Sequence, residues 1–445
     1  MTVDSNKLNP PLLVDQERQL RVSVIDTEDS FDGMEEVWKA LVEEAQVTIF
    51  QTYEWQRTWW KYLGGNRKLY ILVGTDGGRI IGILPLFKQS VNFLGVKVAT
   101  WLRYIGTGLS DYLEPIIMPG YEESFVRVVL EHLDRNRKHW DIFEMSDVNV
   151  FTPLSRELVD RLRNTSCSVR EYQGTLCSHV PLPQTWDGFL QQLGRHARHE
   201  LKRKTEKLME NFKFEVEKFG EQVTDVGAAV ETFASIHGGR WKGLGYESAF
   251  DNPEHLDFHI QVAEKFASRG WLQIYFLKLN GKRVAVNFSF VFHNRIYVYQ
   301  ANANGSGEAM RYSPGYVLHS QAIKKGIEEG AQIYDMLRGK EAYKYKDFKC
   351  VQTSNTMARI YYPSASGNIR FRLFILLEFA RKVPIRVNRE YHEFKRYLIT
   401  EKPSSAMMFK FLGNKIKDLA KFGVSYFSKS LSRSAKPVKE DSRQE

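Results

Sequence analysis

Two stretches of the chain carry one alternation of apolar and polar positions. "LYILVGTDGGRIIGILPLF" runs from Leu69 to Phe87, and "LQIYFLKLNGKRVAVNFSF" from Leu272 to Phe290. Laid over each other without a gap, Leu69 meets Leu272, Ile71 meets Ile274, Gly78 meets Gly281, Ile83 meets Val286 and Phe87 meets Phe290. Each reads as an apolar strand, a tight turn containing glycine, and a second apolar strand, which is the pattern of a hairpin. Helical periodicity precedes each copy, over Met34–Ala45 and Glu54–Leu63 and over Val223–His237 and Pro253–Ser268. More strand, a helix and a strand with an early acidic residue follow, "WDIFEM" from Trp140 and "IYDML" from Ile333. The pattern predicts an α+β chain built from a duplicated unit, each copy a mixed sheet flanked by helices and roughly 150–180 residues long. We place the first unit at 20–183, the second at 184–363, and a tail at 364–445.

The tail reads differently. Met408, Leu412, Ile416, Leu419, Phe422 and Tyr426 fall on one helical stripe with lysines between them. A basic amphipathic helix of this kind suits an anionic membrane surface as well as packing on a protein. The stretch "SLSRSAKPVKEDSRQE" is polar and is expected to be disordered. From Ser364 to Glu445 there are 18 basic and 8 acidic residues, which accounts for the whole net charge of +10. The first 363 residues are therefore neutral, and the pI gives no ground for a nucleic-acid-binding surface. Residues are 43% hydrophobic and 26% charged, as in a globular protein. Three cysteines, Cys167, Cys177 and Cys350, are too few for a disulfide framework and fit a reducing compartment. No run of 18 apolar residues and no apolar signal region occurs, so a cytoplasmic protein is expected, with the tail able to hold it at the inner membrane face. No cysteine or histidine spacing suggests a metal.

The chemistry concentrates in "RYSPGYVLHSQAIKKGIEEGAQIYDMLRGKEAYKYKDF", Arg311 to Phe348. Ser313 stands as an N-cap and Pro314 in the first helical turn, and Gly315 allows close approach of a ligand. A strand, a loop and a helix start in this order direct backbone N–H groups and the positive end of the helix dipole to one place, which suits a pyrophosphate. An ordinary capped helix has the same sequence signs. Neither a Walker sequence nor a G-x-G-x-x-G fingerprint is present, so nucleotide hydrolysis and NAD chemistry lose support. The basic run "RHARHELKRKTEK" reads first as a solvated helix face, and second as a positive wall beside the second unit's cleft. Trp59 and Trp60 read as core, with a sugar groove as the other use.

The set "FQTYEWQRTWWKYLG", "RHARHELKRK", "SIHGGRWKGLG", "VAVNFSFVF", "YSPGYVLHSQAI" and "YDMLRGKEAYKYKDF" resembles the GNAT-superfamily acyltransferases of the cellulose-biosynthesis CelD type, distant relatives of the FemAB aminoacyl transferases. The resemblance covers about Thr48 to Phe348. It implies tandem GNAT-like (acyl-CoA N-acyltransferase) units, with the acyl donor held by the second. It also implies direct transfer of an acyl group from acyl-CoA, acetyl-CoA above all, to an amine or hydroxyl, with no metal and no covalent enzyme intermediate. Arg311, Tyr312, Ser313, Pro314, Gly315 and Tyr316 are then the donor-binding segment. His237, Asp335, Tyr343 and Lys344 are the candidates for proton transfer, and Arg240, Trp241, Tyr299 and Gln300 for the acceptor. Each has a plainer reading: Asp335 in an ion pair with Arg338, Tyr343 in the core, His237 at a helix end. His319 reads as structural. The strict Q/R-x-x-G-x-G/A signature is absent, which keeps a FemAB-like aminoacyl-tRNA donor open as an alternative. Nucleic acid enters as a partner only there. A non-catalytic scaffold on a membrane-associated synthase is the third reading. The acceptor that the resemblance suggests is a small molecule or saccharide, such as a sugar or lipid-linked intermediate of exopolysaccharide or cell-envelope synthesis.

Overall fold

The computed structural model describes residues 19–361, apart from 46, 94–95, 150–152, 165–166, 244–246, 305–306 and 340, together with Asp418. The amphipathic and disordered segments expected in the tail lie outside the described residues.

Both hairpins form. In the first half the strands are β1 (Leu20–Ile25), β2 (Lys68–Leu69), β3 (Ile71–Asp76), β4 (Arg79–Leu84), β5 (Leu86–Phe93), β6 (Val96–Tyr104), β7 (Ile116–Ile117) and β8 (Ile142–Asn149), with β9 (Ser168–Pro181) after them. The second half contributes β10 (Phe214–Lys218), β11 (Leu272–Leu279), β12 (Lys282–Phe292), β13 (Arg295–Ala303), β14 (Ile333–Arg338) and β15 (Val351–Tyr361). The β3–β4 turn uses Gly77 and Gly78 at φ +56° and +91°, and the β11–β12 turn uses Asn280 and Gly281 at φ +48° and +83°. Two consecutive positive φ values make the two-residue turn whose twist matches that of the flanking strands. The predicted helices lie at Glu35–Glu44, Tyr53–Leu63, Val226–Gly243 and Pro253–Ser268.

In the first half the hairpin is divided. Pro85 stands between β4 and β5 and supplies no N–H to a ladder, so the chain changes sheets there. β4 stays with β1, β3 and β7 in a four-stranded sheet, and β5 joins an eleven-stranded one. Gly74 and Gly82 pair across β3 and β4, and a Cβ on Gly82 would stand 2.5 Å from Cδ2 of Phe125. The paired glycines make the notch that takes this ring.

The large sheet runs β10-β11-β12-β13-β14-β9-β15-β8-β6-β5-β2. Its order is symmetric about the β9–β15 pair: β14 answers to β8, β13 to β6 and β12 to β5. β13 and β14 are parallel over three residue pairs, and so are β6 and β8. The fold is α+β, made of two tandem units that repeat one strand order. The last strand of each unit crosses over. β9 of the first pairs with β14 of the second, and β15 of the second pairs with β8 of the first. A boundary at 183/184 thus divides the sequence but not the sheet.

Two apolar cores hold the layers. One joins the units: Trp55 of the first meets Phe258, Phe266, Phe290 and Tyr299 of the second at ring-centroid distances of 5.3–6.2 Å. Trp59 and Trp60 are buried against Phe87. The other core lies between β10–β14 and the helices Trp186–Gln192, Arg195–Asn211 and Pro314–Glu328.

Candidate active site

After Tyr297 pairs with Asp335, β13 and β14 part. The same stretch of β13 carries a bulge, since Phe288 faces Gln300 and Ser289 faces Val298, which leaves Tyr299 without a register partner on β12. Beyond the fork, the edge of β13 offers backbone groups to whatever enters.

Two cavities meet at the fork. The larger, about 550 Å³, lies at the start of the Pro314–Glu328 helix and is lined by Lys204, Gly239, Asn304, Ser313, Gly315 and Tyr316 among others. The smaller, about 180 Å³, lies between the strands, and its lining includes Asp111, Tyr299, Gln300, Arg338, Glu341 and Lys344. Ala301, His319 and Tyr343 line both.

The helix start differs from the expected cap. Ser313 occupies the N-cap position at φ +51°, in the left-handed region, and its hydroxyl caps no backbone N–H. That hydroxyl instead accepts a hydrogen bond from Lys204 Nζ at 3.3 Å. The amide cradle is also narrower than the sequence suggests. The N–H of Ser313 donates to Met310 O, those of Tyr316 and Val317 both donate to Ser313 O, and Pro314 has none. Gly315 supplies the one amide of this turn without a partner among the described residues.

A side chain provides what the backbone does not. Along the Arg195–Asn211 helix, Lys202 pairs with Glu206, Arg203 with Glu200 and Lys207 with Glu210, a solvated face of the ordinary kind. Lys204 has no carboxylate partner among the described residues, and its Nζ lies over the Tyr316 ring, 5.2 Å from the centroid. Tyr316 lines the same wall, and its buried hydroxyl has no hydrogen-bond partner among the described residues. An ammonium without a carboxylate partner, an open amide and a helix N-terminus suit a polyanion, and the volume is in the usual range for ligand cavities. Acyl-CoA fits this set of groups.

The remaining sequence candidates separate. Arg311 and Tyr312 lie on the short helical turn Gly307–Tyr312, away from the cavity lining. Tyr343 stands where the cavities join. Lys344 reaches the smaller cavity, but its ammonium already meets Met336 O at 2.9 Å, Arg338 O at 3.1 Å and Glu341 Oε2 at 3.1 Å, so it clamps the end of β14. His237 lines neither cavity and is buried with Nδ1 3.0 Å from Ser248 Oγ. The side chains of Arg240 and Trp241 lie outside the described residues.

Asp335 also lines neither cavity. Its Oδ1 accepts from Tyr112 OH at 3.3 Å and from Leu337 N–H at 2.8 Å, and Arg295 stands 3.7 Å from Oδ2. Burial raises its carboxyl to about 6 against the opposing pull of Arg295. The expected Asp335–Arg338 pair is not the one formed. Arg338 reaches across to the first unit, with Nε 3.0 Å from Asp111 Oδ1 and Nη2 3.7 Å from Asp147 Oδ1, and it donates to the Ser110 carbonyl. This anchors the Gly108–Asp111 loop over the fork. Local pattern does not reveal that loop, because its partner lies more than 200 positions away.

His319 is the residue the sequence reading left aside. Its ring sits where the two cavities meet, with Nδ1 2.8 Å from Tyr334 OH.

Residues 195–345, which contain the basic helix, the fork and the Tyr343–Lys344 pair, match the family described as Acetyltransferase (GNAT) domain. Over this segment the chain is similar to GNAT acetyltransferase domains. No curated protein matches the chain. Among solved structures, FemX superposes with a TM-score of 0.54 at 12% identity, covering 73% of this chain and 95% of FemX. A tandem GNAT protein from the clavulanic acid biosynthesis pathway gives 0.45 at 10% identity, covering 78% of this chain and all of that one. A conserved protein of unknown function from Bacteroides thetaiotaomicron gives 0.49 at 11%, covering 76% and 100%. Among the described residues no group of three or more His, Cys, Asp or Glu is arranged to hold a metal ion, and no helix is long and apolar enough to cross a membrane.

Proposed function

We propose that the protein transfers an acetyl group from acetyl-CoA directly to an amine or hydroxyl of a polar acceptor. One observation carries the reading: a large cavity with an anion-binding end opens, through the β13–β14 fork, onto a small polar cavity. The donor's pyrophosphate lies at Gly315, Ser313 and Lys204, its pantetheine runs along the free edge of β13, and its thioester reaches the fork. The acceptor enters from the smaller cavity, where Gln300, Asp111 and Glu341 offer hydrogen bonds to hydroxyls or an amine.

The acceptor's nitrogen or oxygen attacks the carbonyl carbon, and the C–S bond breaks as the C–N or C–O bond forms. The acceptor loses its proton to a carboxylate of the small cavity, Glu341 being the more exposed one, and Tyr343 protonates the leaving thiolate. Asp335 and His237 have no part in this step. A saccharide or lipid-linked intermediate of envelope or exopolysaccharide synthesis agrees with the polarity of the small cavity and with the CelD-type resemblance. The basic tail would then hold a cytoplasmic enzyme near anionic lipid.

Titration calorimetry of the full chain with acetyl-CoA tests the donor. Binding that is lost in Gly315→Trp supports the reading, and absence of binding by the native chain refutes it.

A further inference from the structure

His319 projects from the Pro314–Glu328 helix to the wall shared by both cavities. Its hydrogen bonds fix which nitrogen carries the proton. Asn287 Nδ2 lies 2.6 Å from the Tyr334 oxygen and donates to it. The Tyr334 hydroxyl then gives its own proton to His319 Nδ1, 2.8 Å away. Asn287 Nδ2 also approaches Nδ1 at 3.4 Å, again as a donor, and the Asn287 oxygen accepts from Ser289. Two donors converge on Nδ1, so Nδ1 is an acceptor and the neutral ring holds its hydrogen on Nε2. Burial and the nearby Lys344 both hold the ring well below the usual histidine range, to about 3, so it stays uncharged at neutral pH. Nε2 has no hydrogen-bond partner among the described residues.

We infer that His319 is a catalytic residue that acts as a neutral hydrogen-bond donor, its Nε2–H directed to the carbonyl oxygen of the bound thioester. This rests on the proposed acetyl-CoA reading of the same cavities. The carbonyl must lie where donor and acceptor meet, and His319 and Tyr343 are the polar side chains that line both sides. A neutral donor binds the developing oxyanion without the reorganisation that a mobile charge requires. It also keeps its proton throughout, so the ring neither takes the acceptor's proton nor protonates the thiolate. The Ser289–Asn287–Tyr334 chain is what positions the tautomer, and all three residues are buried on β12 and β14.

The test uses acetyl-CoA labelled with ¹³C at the carbonyl, bound to the full chain and read by isotope-edited infrared spectroscopy. The native protein shifts the carbonyl stretch to lower frequency than in free acetyl-CoA. His319→Gln, which retains an N–H donor, keeps a shift, and His319→Phe abolishes it while S-ethyl-CoA, which lacks the carbonyl oxygen, binds the variants and the native protein alike. Histidine ¹⁵N spectra of the native protein show the Nε2–H form at pH 7, which needs no variant to fold. An unshifted carbonyl in bound acetyl-CoA, or an imidazolium or Nδ1–H ring at position 319, overturns the inference and leaves the donor site standing. If acetyl-CoA does not bind the native chain, the donor reading fails first.

Discussion

Lys204→Met tests where the donor's phosphates lie. The substitution removes the ammonium and keeps an unbranched stem over the Tyr316 ring, so the wall of the cavity stays filled. Among the described residues Lys204 has no carboxylate partner to leave unpaired, and its contacts are the Ser313 hydroxyl at 3.3 Å and the ring. The fold should therefore lose under about 1 kcal/mol, the scale of one cation–π contact near the surface. Binding should suffer more, because a hydrogen bond to a charged group contributes about 1.5–3 kcal/mol. That corresponds to roughly a 10- to 150-fold weaker Kd for acetyl-CoA. The control is S-acetyl-pantetheine, which keeps the thioester and the amide arm but has no pyrophosphate. Its affinity should be the same in both proteins. Titration calorimetry of both ligands against both proteins gives the double difference directly. Equal losses for the two ligands would place Lys204 at the thioester end or show a general disturbance of the cavity, and an unchanged Kd for acetyl-CoA would remove it from the site. Either result refutes the orientation argued above.

Tyr343→Phe should lower the rate of CoA thiol release about a hundredfold or more, as general-acid groups commonly contribute, with acetyl-CoA binding unchanged within about twofold. The check is a thiol-reactive dye assay over a panel of amino sugars, and an unchanged rate removes Tyr343 from the acid role. Asp335→Asn probes the buried carboxyl. Its value in the folded chain is raised to about 6, so its favourable contribution is complete below about pH 4 and is lost as pH rises through 6, in all about 3 kcal/mol. Asparagine still accepts from Tyr112 and Leu337 N–H without ionising, so relative to the native chain the variant should be more stable at pH 8 than at pH 4.5 in urea unfolding; a constant difference refutes the assignment. A chain cut to residues 184–361 should give neither a cooperative unfolding transition nor acetyl-CoA binding, as read by circular dichroism and calorimetry, and a folded, binding fragment would show that the exchanged strand β9 is dispensable.

The legible parts of this chain were those that local patterns encode. The Gly77–Gly78 and Asn280–Gly281 turns set hairpin register from two residues each, and helix limits such as Pro253–Ser268 follow from a capping asparagine and a proline at the first turn. The Ser313-Pro314-Gly315 stretch was legible as a helix start but not as a cap, since nothing in three residues indicates a left-handed serine released toward a lysine on another helix. Lys204 could not be told from its neighbours, because what sets it apart is the lack of a carboxylate partner in space among the described residues. His319 falls within the apolar face of its helix, where a histidine is most often structural. Its tautomer depends on Asn287 and Tyr334, both remote in sequence. The Asp335–Arg338 pairing failed because alternation along β14 ends at Leu337, whose φ of +50° turns Arg338 toward the other unit.

That turn explains why the site lies on the seam. β14 would be the edge of the second unit's sheet if β9 were not beside it, and an exposed edge next to an open fork would be prone to further pairing. β9 covers the edge along Ile333–Asp335, and its register with β14 shifts before Arg338. This leaves the last residues of β14 free to bend toward Asp111 and Asp147. The bend has two effects. It widens the fork into which a thioester can pass, and it brings the first unit's Gly108–Asp111 loop over the opening as the far wall of the small cavity. The first unit has its own fork at β6–β8, yet the loop it contributes faces the second one. On the proposed reading, the duplication supplies one unit to bind the donor and another to shape the entrance for the acceptor. Differences in acceptor among such tandem chains should then trace to the first unit's loop and to residue 338, while donor preference should follow the helix start and the residue at position 204.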